Sequence, residues 1–479
     1  MEVRLANVKR TSFFNRIKMD EFRDHISTVN EQGKRVWIFP KKPKGSYTNK
    51  RKIVSYLFLA LLFAMPHLKV NGEQLLLFNV IERKFVIFGA TFWPQDFYLF
   101  AIMIIIGIVF VILFTIIYGR LFCGWICPQT VFMEFVFRQI EYLIEGDWTA
   151  QKKLAKQAWN REKIIKRSIK FIVFWVVSFL VANTFLAYII GTEELWKIQT
   201  DPLNTHLGGF IAIIIFTSLF FFVYWYLREQ VCTTICPYGR LQGVLLDANS
   251  MVVAYDHVRG EGRAKFKKGE DRKAESKGDC IDCGQCMHVC PTGIDIRNGT
   301  QLECINCTAC IDSCDTIMEG VGQDKGLIRF VSENGIKNRT GFEWTKRVKA
   351  YTVLLIGLIG VLLTLLIIRD DFSTIILRQR GSTFQITDED QISNIFEIDL
   401  TNKTKNTYDV ELTCSDPKVK VELANDQFIL KGQKHLTDRF VIKTPYNNIK
   451  NGMKKVDIIV VGNGKEIDRV GIKILGPNY

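Results

Sequence analysis

CIDCGQCMHVCPTGIDIRNGTQLECINCTACIDSCD, residues 280–315, carries eight of the chain's thirteen cysteines in two copies of one spacing. Cys280, Cys283, Cys286 and Cys290 form C-x2-C-x2-C-x3-C-P. Cys304, Cys307, Cys310 and Cys314 repeat it, with Asp315 where the first copy has Pro291. Two-residue gaps let a tight loop wrap three thiolates around one compact centre, so a fourth donor must come from elsewhere.

This is the run that carries [4Fe–4S] clusters in bacterial two-cluster ferredoxins, where the last cysteine of each run crosses to the other cluster. The spacing therefore predicts two [4Fe–4S] clusters, one on Cys280, Cys283, Cys286 and Cys314 and one on Cys304, Cys307, Cys310 and Cys290. C-x2-C pairs also suit zinc, and eight cysteines could pair as four bridges. Against this, zinc needs only four ligands per ion, and two full runs separated by thirteen residues are hard to reach by chance. Oxygen-sensitive clusters belong in a reducing compartment, which places this segment in the cytoplasm without disulfides.

Outside this stretch, the 479 residues are 48% hydrophobic and 23% charged, with the apolar residues gathered in long runs. The net charge of +14 and pI near 9.1 point away from nucleic acid, because the basic residues flank those runs as they flank the cytoplasmic ends of membrane helices. The first fifty residues lack an apolar h-region, so insertion is expected to rely on the membrane helices themselves.

Residues 1–52 read as a polar arm ending in Lys34, Arg35, Lys41, Lys42, Lys44, Lys50, Arg51 and Lys52. A short apolar run from Ile53, IVSYLFLALLFAMPHL, is expected as the first membrane helix. Residues 69–96 are mixed, with Phe92 and Trp93 beside Pro94 expected as an interfacial anchor, the plain alternative being an ordinary ordered loop with a short hairpin. Further spans are expected at 97–118, 169–190, 208–227 and 350–368, each long enough to cross about 30 Å of hydrocarbon. Arg120, Arg138, Lys152, Lys153, Lys156, Arg161, Lys163, Lys166 and Arg167 form a second basic region. The 191–206 loop carries Glu193, Glu194 and Asp201 against Lys197. The lysine and arginine bias sets that loop outside and the basic regions inside.

The expected organisation is thus a multidomain membrane protein. It has a basic cytoplasmic arm (1–52), a bundle holding the first four of about five transmembrane helices (53–227), a cytoplasmic two-cluster ferredoxin-like domain (228–349), the fifth span (350–368) and an outer domain (369–479). In that outer domain FEIDLTN, TYDVELT, KVKVEL, DRFVIKT, VDIIVVG and DRVGIKIL alternate apolar and polar residues, and Gly462, Asn463 and Gly464 supply a turn. Short alternating strands of this kind predict a small Ig-like β-sandwich. Cys414 stands alone there; as a buried thiol it needs no function, the lesser alternative being a copper or redox role.

The four other cysteines form a second constellation. Cys123-Gly-Trp-Ile-Cys127-Pro128 and Cys232-Thr-Thr-Ile-Cys236-Pro237 each follow a span, and an apolar helical stretch follows each proline. Proline favours the first helical position, which puts Cys127 and Cys236 at helix N-caps, where the dipole favours thiolate. Thiolates suit Cu(I), zinc or iron–sulfur centres. The four could hold one ion, two pairs could hold metal or exchange as disulfides, and the plain alternative is four small buried hydrophobes. Trp125 reads as packing, and His206, His257 and His288 as ordinary loop residues.

Taken together, FCGWICPQTVFMEF, LREQVCTTICPYGRLQ, the eight-cysteine stretch, FGATFWPQDF and the outer β-domain resemble the cytochrome c oxidase accessory protein family known as CcoG, FixG or RdxA. The resemblance covers nearly all of the chain from about residue 34. It implies a polyferredoxin-like protein of the bacterial inner membrane that reduces Cu(II) to Cu(I) for assembly of cbb3-type cytochrome oxidase. Cys123, Cys127, Cys232 and Cys236 would then be the copper or redox thiols, and the eight cysteines from 280 to 314 the cluster ligands. The implied partners are membrane lipid, copper ions, oxidase subunits, a copper transporter or chaperone and a cytoplasmic electron donor; homo-oligomerisation is left open. Two rival readings are a quinone-linked electron-transfer subunit of a respiratory reductase and a non-redox assembly scaffold.

Overall fold

The computed structural model describes residues 28–477 apart from 31, 71, 81–83, 94–95, 203, 273, 388–390, 405, 424–427, 433 and 450–451. Residues 1–27 of the basic arm and Pro94 lie outside the described residues. The chain divides into two compact units, Met1–Ile81 with Met103–Ile359, and Glu82–Ile102 with Gly360–Tyr479.

Four helices among the described residues are long and apolar enough to cross a membrane: Phe97–Tyr118, Arg161–Ile190, Leu207–Leu227 and Lys346–Ile367. They coincide with four of the five expected spans, an apolar run of about twenty residues being the length that a bilayer-crossing helix needs. The remaining expected span is a helix, α1 (Ser46–Ala64), but its apolar part from Ile53 is only about 18 Å long. The polar first half has a different task. Gly45 precedes it with no cap of its own, and Asp312 supplies one from far along the chain. Its carboxylate accepts from the Tyr47 amide (3.0 Å), the Thr48 amide (2.6 Å) and the Thr48 hydroxyl (2.6 Å). Arg51, also buried, donates to the Gly124 carbonyl at 2.6 Å. The end of the arm is therefore a strap on the cysteine-rich region rather than a free basic tail.

In the first unit, antiparallel strands β1 (Val252–Tyr255) and β2 (Ile328–Val331) bracket the eight-cysteine stretch. Between them lie a short helix Gln285–His288 and the longer α2 (Ala309–Gly320). Val253, Tyr255, Cys280, Cys286, Ile296, Ile311, Met318, Leu327 and Ile328 form the core of this region.

The second unit contains the sandwich. One sheet has the order β7-β9-β5-β3 with β4 also paired to β5; the strands are β3 (Phe372–Arg378), β4 (Gln385–Thr387), β5 (Gln391–Asn402), β7 (Lys420–Leu423) and β9 (His435–Pro445). The other has the order β8-β6-β10-β11, from β6 (Tyr408–Cys414), β8 (Ile429–Leu430), β10 (Met453–Gly462) and β11 (Lys465–Leu475). All six stretches read from alternation are strands. Their inward residues, among them Phe396, Ile398, Phe440, Val410, Ile458 and Ile474, form one core. Asn463 (φ 49°) and Gly464 (φ 79°) make the β10–β11 turn with two positive φ values, as a type I′ hairpin requires. Cys414 packs partly buried against this core.

Phe92 and Trp93 are not free interfacial anchors. Lys84–Ile87 and Ala90–Phe92 pair as a hairpin. Trp93 is buried edge-on to His435, at 5.2 Å between rings, and Phe92 lies under the Arg369 guanidinium. The adjoining Asp96 holds Arg369 (2.6 Å) and Lys403 (2.8 Å).

Candidate iron–sulfur and thiol centre

The two copies of the cysteine run fold alike. Asp282 (φ 53°) and Gly284 (φ 65°) in the first copy, and Asn306 (φ 52°) and Thr308 (φ 64°) in the second, hold left-handed backbone at equivalent positions. Three of these four are not glycine, and such conformations persist only where the surroundings over-determine them. Left-handed residues among right-handed ones turn successive backbone N–H groups inward, which is the concavity that binds anionic centres, many iron–sulfur sites among them.

Each loop closes on a cavity. One cavity is lined by Cys280, Cys283, Cys286 and Cys314, with Tyr255, Met318 and Leu327. The other is lined by Cys290, Cys304, Cys307 and Cys310, with Cys286 of the first run, Ile294, Ile296 and Ile305. Cys314, the last cysteine of the second run, thus lines the first run's cavity, and Cys290, the last of the first run, lines the second's. Among the described residues no group of three or more His, Cys, Asp or Glu side chains is close enough to hold a single metal ion. Four thiols around the first apolar void and five around the second suit a centre larger than one ion.

Burial acts strongly on these thiols. It pushes Cys286, Cys304 and Cys314 up to about 12 and Cys307 up to about 11, and it raises Cys310 well above the ordinary thiol value. The protein alone therefore keeps them neutral, and a cationic core is what stabilises them as thiolates. Only Cys283 of the eight is exposed.

The membrane-edge cysteines occupy the helix ends expected of them. Cys127 is the N-cap of Pro128–Val131 and Cys236 of Pro237–Leu245, each with proline at the first helical position. The helix dipole does not make Cys127 a thiolate, however. Burial pushes its thiol up, against the amides of Gln129 and Thr130. Burial likewise pushes Cys232 up to about 12 and raises Cys123. The four thiols share one neighbourhood, since Cys123 senses both Cys127 and Cys236, and Cys232 senses Cys127 and Cys123. Among the described residues no three of them stand close enough together to hold an ion in this arrangement.

Contacts join this neighbourhood to the second cavity. Cys123, Val289, Ile305, Cys307 and Ala309 form one buried cluster, with Cys232, Tyr238 and Cys310 packed against it. Arg120, buried, fixes the junction from three sides. It donates from Nε to Gln242 Oε1 (2.8 Å), from Nη2 to the Cys232 carbonyl (3.3 Å) and from Nη1 to the Leu302 carbonyl. Gln242 Oε1 also accepts from the Cys123 thiol at 3.4 Å.

A family model described as "4Fe-4S dicluster domain" matches residues 227–333, and one described as "4Fe-4S binding domain" matches 100–153. A third, "IG-like fold at C-terminal of FixG", matches 362–477. The chain is 33% identical to Protein RdxA of Cereibacter sphaeroides over 76% of its own length and 79% of that protein's. It is 31% identical to Protein RdxB of the same organism, over 81% of this chain and 83% of that one. To the nitrogen fixation protein FixG of Rhizobium meliloti it is 32% identical over 62% of this chain and 58% of that protein.

The chain belongs to the FixG/RdxA family. It is an iron–sulfur electron-transfer protein with [4Fe–4S] ferredoxin-type domains, apolar helices of membrane-spanning length and a C-terminal Ig-like domain.

This FixG/RdxA-type protein also has a site that the sequence reading missed. Arg228 ends the third apolar helix at φ 52° and grips Glu141 with both amino groups, at 2.5 and 2.8 Å. Lys170 reaches Glu141 (2.7 Å) and Glu145 (3.3 Å), and Glu229 takes Arg228 (3.4 Å) and Arg35 (3.3 Å). Arg138 and Glu134 pair beside them. Arg138, which sits among the basic flanks in the sequence, is buried, as is Arg120. The available signal was the row Glu134, Arg138, Glu141, Glu145 at helical spacing. His288 is likewise not an ordinary loop residue, because its ring stacks on Trp148 at 4.8 Å and its carbonyl accepts from the Lys41 amide at 2.7 Å.

Proposed function

We propose that this chain reduces Cu(II) to Cu(I) at Cys123, Cys127, Cys232 and Cys236 and supplies the product to the assembly of a cbb3-type cytochrome c oxidase. The observation that carries the reading is the single buried core shared by Cys123 of the membrane-edge motif and Cys307 of the ferredoxin run. Cys280, Cys283, Cys286 and Cys314 would hold one [4Fe–4S] cluster, and Cys290, Cys304, Cys307 and Cys310 the other. When bound, the clusters supply one-electron carriage from a reduced cytoplasmic donor, one electron for each Cu(II) that becomes Cu(I).

The chain's own residues set the order. Exposed Cys283 marks the cavity that meets solvent, and buried Cys307 marks the one that meets the membrane-edge thiols. Ile305, Val289 and Ala309 are buried in the same apolar cluster as Cys307 and Cys123. Soft sulfur donors favour Cu(I) over Cu(II), so the same thiols that receive copper bias its reduction. The basic flanks of the apolar helices and the reducing chemistry of the clusters support a cytoplasmic position for both cysteine groups, an extracytoplasmic Ig-like domain and a bacterial inner-membrane setting. A copper transporter or chaperone and the oxidase subunits would be the acceptors on the product side.

The test is anaerobic Cu(II) reduction read with a Cu(I)-selective chelator. Changing all four membrane-edge cysteines to serine should abolish the reaction while the iron content stays that of the unaltered protein. Unchanged reduction would remove these thiols from the mechanism.

A further inference from the structure

We propose that the loop tip at residues 265–269, Lys-Phe-Lys-Lys-Gly, is the docking point for an acidic electron-donor protein; this rests on the relay above and names where its electrons enter. All five residues are exposed, and Phe266 presents 40% of its surface between lysines on either side. An aromatic anchor inside a charged rim is the composition of a small docking surface.

The tip is not a loose excursion. The Ala264 amide, one residue before Lys265, donates to the carbonyl of Cys280 at 3.3 Å. Buried Arg272 closes the other side, donating to the carbonyls of Gly278 (2.6 Å), Cys280 (3.1 Å) and Ala264 (3.2 Å). Arg263 reaches the Arg297 carbonyl (3.3 Å) and lies over the Tyr255 ring, and both Arg297 and Tyr255 line the cavity that contains exposed Cys283. The loop therefore projects from the wall of the solvent-facing cavity.

Its charges are divided. Lys277 is paired with Glu270 and Glu275, and Arg272 lies 4.0 Å from Glu270. Lys265, Lys267 and Lys268 are in no salt bridge among the described residues. Three ammonium groups outside any salt bridge, Lys267 with Glu270 in its field, stand beside an electron entry, where they steer an acidic partner and raise its encounter rate. Electron-transfer encounters are small and transient, so a five-residue tip suffices as their focus. Each encounter moves one electron: the donor is oxidised, this chain is reduced, and no bond or proton changes hands.

The test uses the full-length protein in nanodiscs of neutral lipid, with a reduced acidic [2Fe–2S] ferredoxin as the probe. Stopped-flow reduction should slow with rising salt. Joint Lys265→Glu, Lys267→Glu and Lys268→Glu substitution should lower the second-order rate constant about tenfold and flatten that salt dependence. Iron content and photoreduction by a deazaflavin should stay as in the unaltered chain. In Phe266→Trp, the new indole emission should shift when oxidised ferredoxin is added. A wild-type rate in the triple variant would overturn the proposal. So would an emission shift produced by anionic nanodiscs alone, which would assign the tip to a lipid surface. Failure of deazaflavin reduction in the unaltered protein would instead remove the relay, while the Phe266→Trp titration would still judge the docking.

Discussion

Gly124, inside the first C-x3-C motif, lies against the backbone of Cys307. A β-carbon at Gly124 would stand 3.0 Å from both Cα and N of Cys307 and would collide with the Ile305 carbonyl. The close approach of two loops more than a hundred and eighty residues apart makes one junction of the two cysteine constellations.

Gly124→Ala is therefore expected to push the loops apart. Overpacking of this kind costs about 1–3 kcal/mol, and displacement at a reacting junction slows transfer on the order of tenfold or more. Cu(II) reduction should fall by that amount, with iron content retained. A wild-type rate in a folded Gly124→Ala protein would show that electrons do not cross here.

The crossing of the fourth cysteines gives a second expectation. Cys314→Ala should cost the centre at the solvent-facing cavity, and Cys290→Ala the one beside Cys123. Each variant should lose about half of its iron and sulfide. If the Cys290→Ala protein still passes electrons to Cu(II) at the normal rate, the proposed order of the two centres is wrong.

Asp312 caps α1 in place of the missing local cap, and Gly45 is packed so closely that a β-carbon would overlap the Asp312 carboxylate. Asp312→Ala should destabilise the detergent-solubilised protein by about 1–2 kcal/mol. The loss should appear as faster hydrogen exchange over residues 45–51. Unaltered exchange there would deny the strap its role.

Glu141 provides the pH test. Burial alone would raise its carboxyl, but Arg228 and Lys170 hold it well below the usual carboxylate range. A depressed folded value means that its contribution is complete above the unfolded value of about 4.5 and is lost as acid is added below it. Glu141→Gln should remove that part of the acid sensitivity. It should also cost about 1–3 kcal/mol at neutral pH by removing the carboxylate that buried Arg228 and Lys170 share, with Glu229 and Glu145 still beside them. Equal thermal unfolding of the two proteins from acid to neutral pH would contradict this.

Local patterns were legible in the sequence wherever the physics is local. The spacing of Cys280 to Cys314 pointed to two like loops, and each of them lines a cavity. Apolar runs carried four spans, and alternation carried six strands of the sandwich. The missed features depend on residues far apart in the chain: Asp312 capping Thr48, Arg228 gripping Glu141, and Trp93 seated against His435. Helix position alone favoured thiolate at Cys127, whereas the burial that outweighs the dipole comes from tertiary packing. Arg120 and Arg138 were read as flanking charges because sequence does not distinguish a lipid-facing arginine from one buried among carbonyls or carboxylates.

The most direct test of the account is to reduce the iron–sulfur centres without oxygen, mix with Cu(II), and follow cluster oxidation and Cu(I) formation together by stopped flow. The account predicts one Cu(I) per electron lost and a rate that collapses in Cys123→Ser but not in Cys414→Ser. Equal rates in the unaltered protein and in Cys123→Ser would contradict it.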